Sequence, residues 1–182
     1  ELVDGRMHRL HQEDFCQVTG VSGELKYESE GGPSFRSCIL AMRDMRMSLS
    51  DQFAFIDRMV FNFLLGNADA HGKNSSILYR GKEGQSLAPI YDVLCTAVYG
   101  TLSQVNAMSI GGARTFDEVS RDSFAAMARE VGMRPQRVWR RLDALARKML
   151  PAARRLAEEL SVEWPSEVYA EICRVIARQT GR

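Results

Sequence analysis

Residues 48–67, "SLSDQFAFIDRMVFNFLLGN", constrain the fold of this chain more than any other stretch. Phe55, Ile56, Met59, Val60, Phe63 and Leu64 recur at helical spacing, and Gly66 supplies a residue suited to a left-handed helix stop. A helix with so wide an apolar face has to be packed into a core. Directly after it the period changes. "SSILYRGKEGQSLAPIYDV" has a short apolar run, a turn rich in Gly and Lys at Gly81 to Gly84, and a second run stopped by Pro89. That is the pattern of a small β-hairpin. The two strands of a hairpin return the chain to its starting point, so the loop that enters it and the loop that leaves it become neighbours.

The remainder reads as mostly helix. "HQEDFCQVTG", with early acids and Gly20 at its end, predicts a short helix, and Lys26 to Ser34 predicts a loop because Gly31-Gly32-Pro33 cannot lie inside a helix. Ser34 is placed to cap a helix from Phe35 to Met47. Helical patterns return from Asp117. "FDEVSRDSFAAMAREVG" ends at Gly132, and "RPQRVWRRLDALARKML" has Pro135 at a first-turn position. Pro151 is expected to kink or end that helix, with "AARRLAEEL" continuing as another and "SEVYAEICRVIARQT" closing the chain. The fold class expected is mainly α with a small β-hairpin, arranged as residues 1–112 and a C-terminal helical part, 113–182.

At 182 residues and 45% apolar composition, the chain is long enough to bury a sizeable core. Lys plus Arg number 24 against 23 Asp plus Glu, so overall charge argues for neither a nucleic-acid nor a membrane partner. Any such case has to be local. Cys16, Cys38, Cys95 and Cys173 are widely spaced with no C-x-x-C pair, which reads as reduced, mostly buried thiols. "ELVDGRMHRL" has no apolar run fit for a signal peptide, and no stretch approaches a membrane span, so the expected location is the cytoplasm.

Chemistry concentrates in "GNADAHGKNSSILY", Gly66 to Tyr79, and in the lone acid Asp92 of "LAPIYDVL". Transfer of a phosphoryl group from a nucleotide needs an acid to orient or deprotonate the acceptor hydroxyl, and oxygen ligands to hold magnesium against the phosphates. An aspartate, an asparagine five residues on, and a separate aspartate past a hairpin supply that set. Here they are Asp69 on the acceptor side, with Asn74 and Asp92 as metal ligands and Lys73 available to neutralise charge on the transferring group. Plainer roles are open to each. Asp69 or Asn67 suits a turn, Asp92 suits a helix cap after Pro89, and Lys73 suits a solvated surface. His71 fits a hydrogen-bonding role better than metal ligation, because His8 and His11 are remote and the three histidines make no zinc pattern.

These segments carry a resemblance. "RLHQEDFCQVTG", "KYESEGGPS", "FNFLLGNADAHGKNSSIL", "LAPIYDVL" and "AMSIGG" (Ala107 to Gly112) follow one another in an order and spacing similar to the C-terminal region of the HipA family, over roughly residues 6–112. That family comprises bacterial serine/threonine protein kinases that act as toxins. The resemblance implies a helical kinase-like lobe, ATP and Mg2+ as cofactors, Asp69 as catalytic base, and Asn74 and Asp92 as magnesium ligands. It also implies that His71, Gly72, Lys73 and Asn74, together with Tyr91 and Asp92, lie beside the nucleotide. Further implied are a protein substrate and a HipB-like DNA-binding antitoxin.

The chain departs from the family pattern in one respect. The β-rich lobe with its glycine-rich phosphate loop has no counterpart here, since Gly31 to Pro33 lacks G-x-G-x-x-G. The isolated chain is therefore expected to be weakly active or inactive. Two other classes fit parts of the sequence. Small-molecule phosphotransferases of the aminoglycoside or choline kinase type share D-x-H-x-x-N, which "DAHGKN" matches, and a non-catalytic interaction module needs no nucleotide lobe at all. Finally, Arg134 to Arg155 carries Arg134, Arg137, Arg140, Arg141, Arg147, Lys148, Arg154 and Arg155 against Asp143 alone. This face is either simply solvated or makes weak, salt-sensitive phosphate contacts with DNA.

Overall fold

The computed structural model describes residues 2, 3, 6, 7 and 9–181; part of the N-terminal segment, with His8, lies outside the described residues. Two-residue strands β1 (Leu2–Val3) and β2 (Arg6–Met7) pair with each other. Next come β3 (His11–Asp14), α1 (Phe15–Val18), α2 (Phe35–Asp44) and α3 (Leu49–Leu65). β4 (Ser76–Tyr79) and β5 (Gln85–Leu87) form the expected hairpin, and β6 (Val105–Ile110) and β7 (Ala113–Thr115) form another. The chain then runs through α4 (Arg121–Glu130), α5 (Pro135–Glu163) and α6 (Val168–Thr180).

α3 is the central element. Its N-cap Ser48 accepts a hydrogen bond from the Asp51 amide at 3.0 Å, and the six apolar residues of its inward stripe are all buried. Each contributes roughly 1.5–3 kcal/mol through that burial. α5 and α6 pack along it, and one core joins Phe15, Phe35 and Ile77 from the sheet side to Phe124, Val138 and Ile176 from the C-terminal helices. Gly66 ends α3 at φ 79°, where a side chain is strained. A Cβ there would also lie 2.5 Å from Val175 Cγ1 and 2.9 Å from Ala97. The chain can therefore leave the helix only by turning tightly beneath α6.

Three expectations change. "HQEDFCQVTG" is not one helix: residues 11–14 form a strand antiparallel to β4, with Gln12 opposite Leu78, giving a three-stranded sheet in the order β3-β4-β5. Asp14 then caps a single turn through a reciprocal capping box with Gln17, both bonds at 3.0 Å. Pro151 ends nothing, because α5 passes through it as one helix of 29 residues. The helix expected from Asp117 starts at Arg121, where Ser120 and Ser123 form a capping box. All four cysteines are free, with Cys16, Cys38 and Cys95 buried. Among the described residues no helix is long and apolar enough to cross a membrane.

Candidate active site

The segment after Gly66 is fixed mainly by backbone. Thr96 Oγ1 accepts from the Ala68 amide at 2.8 Å and donates to the Gly66 carbonyl at 3.2 Å, while the Ala107 amide of β6 donates to the Ala68 carbonyl at 2.8 Å. Asn67 is buried. Its amide nitrogen Nδ2 donates to Asn62 Oδ1 at 2.9 Å and its Oδ1 accepts from the Asp69 backbone at 3.1 Å, a side-chain-closed turn. The Asp69 carbonyl then accepts from the His71 amide and from Asn74 Nδ2, each at 2.9 Å. Asp69 and Asn74 are thus clamped together across five positions, and the clamp leaves the Asn74 side-chain oxygen as its donor atom for a ligand.

The Asp69 side chain is 45% exposed. Tyr27 donates to its Oδ1 at 2.8 Å, and His71 Nε2 lies 3.9 Å from the same oxygen. Burial and then the bond to Asp69 push the Tyr27 hydroxyl up to about 12, so it remains a proton donor throughout the working pH range. His71 is buried edge-on to Tyr27, with ring centroids 5.4 Å apart. Burial lowers its pKa, and Asp69 opposes that shift only in part. The imidazole is therefore mainly neutral near pH 7, and its Nδ1 has no hydrogen-bond partner among the described residues.

Past the hairpin, Asp92 adopts φ 52°, unusual for a residue other than glycine. Tyr91 holds this turn down: its hydroxyl donates to the Lys73 carbonyl at 2.7 Å and is also bonded to Ser76 Oγ. Arg58 of α3 donates through Nη2 to the Ala88 carbonyl, and its Nη1 is buried without a partner among the described residues. Asn74, Tyr91 and Asp92 line one narrow cleft with Arg58, Asn62 and Asn67. An amide oxygen and a carboxylate are hard oxygen donors, the type Mg2+ takes one or two of from protein before phosphates and water complete its shell. The donor set fits that ion. Among the described residues no group of three or more His, Cys, Asp or Glu is poised for a metal.

The two loops are therefore neighbours, as the hairpin argument requires. Asn74, Tyr91 and Asp92 share the cleft, whereas Asp69 opens into an adjoining groove with Tyr27. His71 is buried beside Asp69. Gly72 packs against Pro33 and Cys16, with a built Cβ only 2.8 Å from the proline ring. The Lys73 side chain points out to solvent near Gly23. Sequence reading did not single out Tyr27, Arg58 or Thr96. Tyr27 sits inside the quoted "KYESEGGPS", but a tyrosine in a loop announces nothing about an acid 42 positions away.

Comparison with known proteins follows the same outline. The model of the HipA-like C-terminal domain matches residues 3–153. Two Sinorhizobium fredii proteins named "Putative kinase", Y4mE and Y4dM, are 44% identical over 160 residues and 30% identical over 180. Those alignments cover 87% and 91% of this chain but only 38% and 42% of the relatives. The serine/threonine-protein kinase toxin HipA of Shewanella oneidensis is 32% identical over 116 residues, 58% of this chain and 27% of that protein. A solved structure of the Shewanella oneidensis HipA, HipB and operator DNA complex superimposes with a TM-score of 0.82 at 26% identity, covering 98% of this chain and 44% of the matched one. The chain spans about two fifths of the length of the first curated relatives it matches. With a family model over most of its length and the mainly helical fold of the HipA C-terminal region, this chain belongs to the HipA family.

Proposed function

We propose that the chain is the catalytic lobe of a serine/threonine protein kinase toxin of a toxin–antitoxin system, moving the γ-phosphoryl group of ATP to a protein hydroxyl. The observation that supports this most is the clamp between Asp69 and Asn74. It ties an acid open to solvent on one side to hard oxygen donors facing the Asp92 cleft on the other. Asp69, with Tyr27 fixing one carboxylate oxygen, is the acceptor-side base and takes the hydroxyl proton through its other oxygen. Asn74 and Asp92 hold magnesium, which when bound would neutralise charge on the phosphates. His71, Gly72, Lys73 and Tyr91 shape the nucleotide side, Tyr91 by bonding the Lys73 carbonyl and so tying the two loops together. Residues 1–112 form the catalytic part of this lobe and 113–182 its helical buttress.

By analogy with the HipA, HipB and operator DNA complex, the partner is a HipB-like DNA-binding antitoxin, and the basic face of α5 is the part of this chain suited to weak phosphate contact with DNA. The place of action is the cytoplasm. Alone, the 182-residue chain is expected to hold magnesium-ATP weakly, because the cleft offers metal-binding oxygens and, among the described residues, little that would enclose an adenine.

The deciding experiment uses the full-length protein with protein and aminoglycoside acceptors in parallel. Asp69→Asn is expected to lower transfer by about 10²–10⁴-fold while calorimetric magnesium-ATP affinity stays within about twofold. Asp92→Asn should weaken magnesium-dependent ATP binding as well as transfer. Transfer retained by both variants would overturn the assignment, and preference for the aminoglycoside would replace the protein substrate with a small molecule.

A further inference from the structure

The groove beside Asp69 differs in character from the metal cleft. It has a volume near 490 Å3 and runs from Tyr27, Ser29 and Glu30 across Asp69 to the loops at Leu94 and Leu102 and the start of β6 at Val105. Leu94, Leu102 and Val105 are 57%, 49% and 45% exposed, so three aliphatic side chains from separate segments share one concave face in contact with water. Scattered exposed aliphatics need no explanation, but a cluster around an acid does. The floor beneath them is rigid. The Ala107 amide is bonded to the Ala68 carbonyl, and Glu28 accepts from the Ser109 amide at 2.5 Å and from Ser109 Oγ at 3.1 Å, tying β6 to the Tyr27 segment. The charged residues lining the groove are Asp69 and Glu30, with no lysine or arginine among the described lining residues.

We infer that this groove is the acceptor subsite, and that it takes an extended polypeptide segment whose serine or threonine is flanked by a large aliphatic or aromatic residue and carries no acid nearby. The inference rests on Asp69 being the acceptor-side base. The groove is continuous with its carboxylate, so a segment seated there brings a hydroxyl to Asp69 while a neighbouring apolar side chain covers Leu94, Leu102 and Val105. Burial of such a side chain is worth roughly tenfold or more in affinity. Acids at 30 and 69 repel an acidic segment and accept a neutral or basic one. A polyhydroxylated aminoglycoside would leave the aliphatic wall wet, so the groove favours a peptide over that class of acceptor.

The test presents the full-length protein and its Leu102→Asp/Val105→Asp double variant with magnesium-ATP and a degenerate serine-centred peptide library. Both positions are already exposed, so the substitutions do not empty a core. The wild type is expected to select Leu, Ile, Met or Phe at one flanking position and to reject Asp and Glu. The double variant should lose the apolar selection, and a fluorescent peptide of the selected sequence should bind it about tenfold more weakly without nucleotide. Unchanged selection in the variant, no apolar selection in the wild type, or no library peptide phosphorylated by a protein that binds magnesium-ATP would each overturn the subsite. Failure of the base assignment looks different: Asp69→Asn would then still phosphorylate the library, with the apolar preference intact.

Discussion

At the scale of single residues, the site is organised by one buried histidine and one tyrosine that keeps its proton at neutral pH. Tyr27 saturates Asp69 Oδ1, and His71, held neutral by burial, adds no full positive charge beside the carboxylate. The same burial has a consequence for stability. His71 has a lowered pKa in the folded chain, whereas in the unfolded chain it returns to about 6.5. Below that value the unfolded state binds a proton that the folded state resists, so this contribution is complete above about pH 6.5 and falls away as pH drops through the folded pKa. Urea unfolding followed from pH 7.5 to 5.5 is expected to lose stability more steeply in the wild type than in His71→Gln. Parallel slopes would mean that His71 titrates as freely folded as unfolded.

Among the elements, α5 carries a local cost. Pro151 lies inside the helix, so the Arg147 carbonyl loses its intrahelical partner and the ring crowds the preceding turn. Packing overrides the local preference: the helix contacts α4, α3 and α6, and Pro151 is on its exposed side, where water can reach the freed carbonyl. Pro151→Ala is therefore expected to stabilise the protein by about 1–3 kcal/mol, read as a higher urea midpoint at unchanged slope; no gain would show that the helix is already relaxed around the proline. The same contrast between local signal and tertiary context explains what was legible in the sequence. α3 could be read because its stripe and its glycine stop are both local. So could the pairing of the Asp69 and Asp92 loops, because a hairpin brings its own ends together. β3 could not, since residues 11–14 are a strand only by virtue of pairing with β4 far along the chain. β6 and β7 left a usable trace in Gly111-Gly112 after the alternation of Val105 to Ile110, a turn signature that sequence reading passed over. Tyr27 and Arg58 left none, because a loop tyrosine and an arginine on the polar side of a helix look the same whether or not they face a site.

For the whole molecule, a net charge of +1 conceals a local concentration on one side. Arg137, Arg140, Arg141 and Lys148 of α5 surround Phe53 and Asp57 of α3. Sequence counting found only Asp143 to oppose the bases of residues 134–155, whereas the fold adds Asp57, which takes Arg141 through two bonds of 2.5 and 2.7 Å, and Asp143 is itself held by Arg121 at 2.8 and 3.0 Å. Arg141 also sits 4.8 Å above the Phe53 ring, so it works as a brace between α3 and α5 more than as a free charge. Arg137, Arg140 and Lys148 remain exposed, which makes them the set to test. If this face meets DNA, it does so through phosphates, with a Kd on the order of 10⁻⁴–10⁻⁶ M and no sequence preference. The Arg137→Ala/Arg140→Ala/Lys148→Ala variant is expected to bind duplex DNA more weakly at low salt. Its plot of log affinity against log salt should be shallower by roughly 0.9 for each phosphate that is no longer neutralised. Arg141→Ala should instead leave that slope nearly unchanged and lower unfolding stability, by about 0.5–1 kcal/mol because its partner is partly exposed. A triple variant with the parent's salt slope would return the α5 face to a solvated surface, whatever the antitoxin does with the operator.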